Sequence, residues 1–153
     1  MKLHFLLIFL IAISVSCNNK SKCAPEDKTI ASLALMSADR SFSAMCETKG
    51  MRAAFIEFID SNGVLLRPNQ LPIIGANAID YLIQQNDTAY TLTWDPKRAE
   101  VAKSGELGFT YGIYAMRPST QDTLFYGTYT NIWRKQGDGN WKLMLNTGND
   151  GIE

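Results

Sequence analysis

Histidine is almost missing from this chain: its 153 residues hold one, His4, close to the start. The body of the protein therefore has no imidazole for a Ser-His-Asp triad, a His metal site or a His proton shuttle. Net charge is missing too, with 15 basic against 15 acidic side chains. That balance argues against a nucleic-acid surface, which needs a basic excess to displace counterions from phosphates. Three cysteines are too few for a disulfide scaffold, and 11 glycines and 5 prolines too few for a collagen-like or disordered chain. There is no Gly-rich phosphate loop, Cys cluster or serine-nucleophile elbow, and no two of Asp39, Asp60, Asp80 and Asp150 stand at an acid–base or metal-ligand spacing. Neither a metal nor a cofactor is expected. What is present is 46% apolar residues, enough for one domain with a core.

The opening MKLHFLLIFLIAISVSC carries Lys2, an apolar run and then small residues before Cys17. The run is too short to span a membrane and has the length of a secretory h-region. Ser14-Val15-Ser16 ahead of Cys17 resembles a bacterial lipobox, in which the cysteine is lipidated before cleavage; a plain signal peptide cleaved nearby is the alternative. The polar NNKSKCAP that follows suits a tether. The expected division is a signal peptide at 1–16, a lipid-anchor tether at 17–28 and a domain at 29–149. The expected location is the bacterial cell envelope, periplasm or outer membrane, with the membrane reached through the lipid. Cys23 and Cys46 could pair in an oxidising compartment, but Cys46 has the spacing of a helix core position, which favours a buried free thiol.

Residues 29–49 read as a helix, with Ile30, Leu33, Ala34, Ala38, Phe42, Met45 and Cys46 on the apolar stripe and Asp39, Arg40 and Glu47 opposite. A shorter helix follows Gly50, with Met51, Ala54, Phe55 and Phe58 on one stripe. Asp60-Ser61-Asn62-Gly63 reads as a turn, 64–67 as a short strand stopped by Pro68, and 69–74 as a loop. Gly75 opens a third helix containing Ile79, Leu82 and Ile83. From there the period changes to two, and 90–103, 106–117, 123–134 and 141–147 read as four strands separated by turn residues. Helices first and long antiparallel strands afterwards make an α+β domain.

This order, with the strings GVLLRPNQLPIIGANAI, LTWDP, SGELGFTYGIY, YGTYTNIWR and GNWKLMLNTG, resembles the nuclear transport factor 2-like superfamily, and within it the SnoaL-like branch known as domain of unknown function 4440. The resemblance covers residues 29–149. It implies a cone-shaped, cystatin-like fold: three N-terminal helices packed on a curved antiparallel sheet, closing a cavity, often paired through the sheet's outer face. In proton-transferring members an Asp precedes the Pro after the short strand; here that place is Arg67. The oxyanion-side acid falls near Asn131 and the tyrosine donor near Phe42, so the isomerase mechanism does not carry over.

Arg67 offers a fixed cationic fork for a carboxylate, sulfate or phosphate, or else a structural salt bridge. Alternation puts Thr110, Gly112 and Tyr114 on one face and Gly127, Tyr129, Asn131 and Trp133 on one face of the next strand. Glycine at a strand centre leaves volume beside an aromatic wall, or lets a helix approach. Trp94 is a candidate for the rim. Asp39 is the acid nearest the implied cavity and reads as a solvated or capping residue. Leu107, Phe109, Tyr111 and Ile113 share the opposite face, which suits a homodimer. Three functions stay open: an anchored domain binding an unidentified small amphipathic or anionic molecule, a cofactor-independent isomerase, cyclase or hydrolase, and a dimeric interaction module with a vestigial pocket.

Overall fold

The computed structural model describes residues 25–151. His4, Cys17 and Cys23 lie outside the described residues, and with them the signal, the lipidation site and the proposed cysteine pair. The chain runs α1 (Pro25–Lys49), α2 (Met51–Phe58), β1 (Ile59–Leu65), β2 (Ile73–Ile74), α3 (Ala76–Gln84), β3 (Tyr90–Val101), β4 (Leu107–Pro118), β5 (Phe125–Lys135) and β6 (Trp141–Asp150). The strands form one curved sheet in the order β2-β1-β6-β5-β4-β3. Its pairings are antiparallel except for β1, which runs parallel to β6. Helices on one face of a largely antiparallel sheet make the α+β arrangement that the sequence implies.

The first helix is turned from its expected setting. Leu35, Asp39, Phe42, Ser43 and Cys46 form its buried face, while Ile30 and Leu33 are each 61% exposed. Counting apolar residues misplaces the stripe because Asp39 and Ser43 bring polar atoms inward to partners that the sheet supplies. Phe42 is the hub of the core: its ring meets Phe55 at 4.8 Å, Trp94 at 4.6 Å and Trp133 at 5.9 Å between centroids. Each large side chain buried here contributes roughly 1.5–3 kcal/mol. Cys46 carries a free buried thiol, which burial pushes up to about 12.

The segment read as a turn lies inside β1. Ile59 pairs with Leu143 and Val64 with Leu145, so five steps along β1 face two along β6. The surplus is taken up as a bulge, with Asp60 Oδ1 accepting from the Asn62 backbone N–H at 3.0 Å. β2, only two residues, pairs with the end of β1 where a plain loop was expected. The four long strands fall where the period of two places them, within a few residues at each end.

Both edges of the sheet are blunted. β2 is very short, and β3 is interrupted by a register shift between Pro96 and Arg98. On the open side of β3, Ser43 of α1 clasps Trp94: its hydroxyl donates to the Trp94 carbonyl and accepts from the Trp94 N–H, both at 2.8 Å.

On β4 and β5 the two faces separate cleanly. Gly108, Thr110, Gly112, Gly127, Tyr129, Asn131 and Trp133 are buried against the helices. Leu107, Phe109, Tyr111 and Ile113 stand exposed on the other side.

Candidate functional site

Between the helices and the inner face lies a cavity of about 290 Å³, roughly ten water volumes. Its helical wall comes from Met51, Phe55, Tyr81 and Leu82, its floor from Trp94, Tyr114, Tyr129 and Asn131 on the sheet. Arg67, just past the end of β1, enters at one end beside Asn146.

Arg67 Nη1 donates to the Leu66 carbonyl at 2.9 Å and the Asn146 carbonyl at 3.4 Å, and the guanidinium stands 5.9 Å from the centre of the Phe55 ring. Among the described residues it makes no ion pair; the four that occur all lie elsewhere. Burial lowers its pKa, while the hydroxyls of Tyr81 and Tyr90 pull the other way. A guanidinium stays protonated even so, and the result is a half-buried cation facing a cavity with only neutral partners.

The polar centre of the floor is organised by Asp39, which is fully buried and stands behind the wall. Its Oδ1 accepts from Trp94 Nε1 at 2.9 Å and Asn131 Nδ2 at 3.1 Å, and its Oδ2 accepts from the Tyr129 hydroxyl at 2.7 Å. Asp39 is thus neither solvated nor a cap. Burial raises its pKa from the usual 3.8, against hydrogen bonds from Tyr129, Trp94, Thr110 and Asn131 that lower it. Tyr129 is raised in turn by burial and by the Asp39 charge. The chain of amides continues outward: Asn146 Nδ2 donates to Asn131 Oδ1 at 2.7 Å.

Of the residues singled out from sequence, Arg67, Trp94, Tyr114, Tyr129 and Asn131 line this one cavity. Thr110 and Trp133 share their face but do not reach it. Trp133 Nε1 donates to Thr110 Oγ1 at 2.9 Å, and both are wholly buried beneath α1. Trp94 is not a simple rim residue, since its indole N–H is held by Asp39.

The glycines also act differently from expectation. In the strand register Gly112 faces Tyr129 and Gly127 faces Tyr114. A Cβ on Gly127 would lie 2.3 Å from Tyr114 Cζ, and one on Gly112 would lie 2.9 Å from Tyr129 Cε1. The volume a side chain would fill is taken by the neighbouring tyrosine ring, so the glycines seat the aromatic wall rather than open the cavity.

Tyr81, Tyr90, Asn146 and Asp150 were not anticipated as lining residues. Periodicity could have offered Asn146, which sits opposite Asn131 on the inner face, and Asp150 four residues further along the same face; nothing local marks Tyr81 or Tyr90. At the far end the Tyr114 hydroxyl donates to Asp150 Oδ1, which with burial pushes the phenol up to about 12. Among the described residues, no group of His, Cys, Asp and Glu could hold a metal, and no helix is long and apolar enough to cross a membrane.

Solved structures with the same arrangement exist at low identity. A ketosteroid isomerase-like protein from Erwinia carotovora atroseptica matches at 15% identity and a TM-score of 0.60, over 79% of this chain and 97% of that one. A nuclear transport factor 2-like superfamily protein from Salmonella enterica matches at 9% identity and 0.63, over 82% and 94%. The CaMKII hub of S. rosetta matches at 15% and 0.61, over 78% and 96%. The chain has the nuclear transport factor 2-like fold. No family model and no curated protein matches its sequence. One fold of this kind hosts many functions, so the chemistry must be argued from the cavity itself.

Proposed function

We propose that this nuclear transport factor 2-like domain binds a small amphipathic anion in its aromatic-lined cavity, with Arg67 as the anion anchor. The observation that carries the reading is the half-buried Arg67 guanidinium, which borders the cavity without a carboxylate partner. A partly desolvated, preorganised cation gains most from a charged acceptor that enters with its own hydrophobic body. The cavity is near the lower limit for ligand sites, so the ligand is small. A vestigial pocket would be filled by side chains, and this one is open. Titration with phenylacetate, followed by calorimetry or NMR, tests the reading. Arg67→Met should weaken binding about ten- to a hundredfold while the melting temperature changes little. Equal binding by both proteins would overturn it.

A second reading, proton-transfer catalysis, is favoured by one observation: the buried Asp39 carboxyl lies one hydroxyl away from the cavity, through Tyr129. It requires that a bound carbonyl compound exchange its α-hydrogens faster with the wild type than with Asp39→Asn.

The exposed row Leu107, Phe109, Tyr111 and Ile113 supports a homodimer paired through the outer face. For the whole protein we further propose an envelope lipoprotein anchored through Cys17. Membrane fractionation of wild type against Cys17→Ser tests this, since loss of the anchor should release the protein or block its processing.

A further inference from the structure

The cavity has a hydrogen-bond polarity as well as a charge. On the sheet side, the polar hydrogens of three lining residues are given to carboxylates: Trp94 Nε1 and the Tyr129 hydroxyl to Asp39, and the Tyr114 hydroxyl to Asp150. An indole N–H has no acceptor capacity, and a phenol that has donated its hydrogen offers only oxygen lone pairs. Asn131 turns its amide nitrogen to Asp39 and therefore its carbonyl to Asn146. The hydroxyls that the sheet presents to a ligand are thus acceptors, and Asp150 adds a carboxylate at the rim.

The opposite end is inverted. Arg67 is a pure donor, and the Tyr81 hydroxyl, which lines the same cavity and favours the charged guanidinium, can give its own hydrogen. The strand register sets the separation of the two ends. Arg67 is tied to the Asn146 carbonyl, Tyr129 is paired with Gly148, and Gly127, under the Tyr114 ring, is paired with Asp150. Asn146 to Asp150 spans about 13 Å of backbone at ~3.3 Å per residue, with Tyr129 midway.

We propose that the cavity selects acids that carry a hydrogen-bond donor, a hydroxyl or amino group, on the end remote from the carboxylate. The carboxylate is taken by Arg67 and the donor by the tyrosine oxygens and Asp150. The proposal rests on the anion-binding reading of Arg67 and adds to it the chemistry of the ligand's other end. A hydrogen-bond acceptor at that end would meet oxygen lone pairs and lose its hydration without replacement.

Three probes decide it: phenylacetate, para-hydroxyphenylacetate and para-methoxyphenylacetate, titrated into the wild type. The hydroxyl compound should bind about tenfold more tightly than the parent, and the methoxy compound no better than the parent. Arg67→Met should weaken all three alike. Tyr129→Phe, or Tyr114→Phe at the more open end, should reduce the hydroxyl preference, read as the ratio of para-hydroxyphenylacetate to phenylacetate affinity in each variant. Asp39→Asn, which frees the Tyr129 hydrogen to point into the cavity, should shift preference toward the methoxy compound. Equal affinities for the three probes, or a preference for methoxy in the wild type, overturn the donor selection and leave the Arg67 reading standing. If none of the probes binds up to about 10 mM, a free energy near −3 kcal/mol, both fall together.

Discussion

The two faces of the sheet around β4 depart from the usual rule of burial. The inner face holds threonine, asparagine, tyrosine and glycine beside the wholly buried Trp133; the outer face of β4 holds Leu107, Phe109, Tyr111 and Ile113, each about two-fifths exposed. An ordinary half-solvated sheet would place these sets the other way round. The inner face tolerates its polar groups because they satisfy one another around Asp39 and Thr110. The outer face has no such internal account. One face is polar and satisfied from within, and the other is apolar and open.

The sharpest way to break this comparison is to remove the centre of the inner network. Asp39→Ala strands the buried donors of Trp94, Tyr129 and Asn131, and should cost about 3–5 kcal/mol in chemical denaturation. Phe109→Ala, on the outer face, should cost the isolated fold less than about 1 kcal/mol. If the two losses are similar, the faces do not differ as described. Association is the outer face's own test. Phe109→Asp should convert a dimer to monomers in sedimentation at micromolar protein with the far-ultraviolet spectrum unchanged, whereas a wild type that is monomeric there removes the dimer.

A smaller effect tests how the aromatic wall is seated. Gly127→Ala drives a methyl into the Tyr114 ring and toward the Asn149 carbonyl, and should cost about 1–3 kcal/mol. The smallest effect is in pH. Burial raises the Asp39 pKa, so the neutral form is favoured by folding. Its contribution to stability is complete below the unfolded value of about 3.8 and is lost as pH rises through the raised native value. The stability of wild type relative to Asp39→Asn should therefore increase on acidification across that window; a flat difference would mean that the site does not titrate there.

Much of this was readable from local pattern. Alternation assigned the faces of β4 and β5, and Pro68 marked the strand end that delivers Arg67 to the cavity. Pattern fails where a residue's role is set by partners distant in sequence. Asp39 read as solvated because nothing within one helical turn of it reveals Tyr129 or Asn131, some ninety residues later. Thr110 and Trp133 share a face with Tyr114 and Tyr129, yet the helix above seals them off, since alternation gives a face and not a position along it. The turn residues 60–63 do turn the chain, but within a strand whose parallel neighbour only the folded sheet supplies. Tyr81 and Tyr90 reach the cavity from α3 and the start of β3, a convergence that exists only in three dimensions.

The Ser43 clasp on Trp94 bears on how this molecule avoids unwanted growth. By occupying both backbone groups of Trp94, it removes a docking point for an incoming strand on the long edge β3. Pro96 and the neighbouring register shift spoil the next stretch, and the opposite edge is only two residues long. Fibrillar extension by backbone pairing is thus obstructed at both ends of the sheet. Ser43→Val keeps the side chain's bulk but reopens the Trp94 ladder, and its cost would emerge as aggregation during expression rather than as a lower affinity for any ligand.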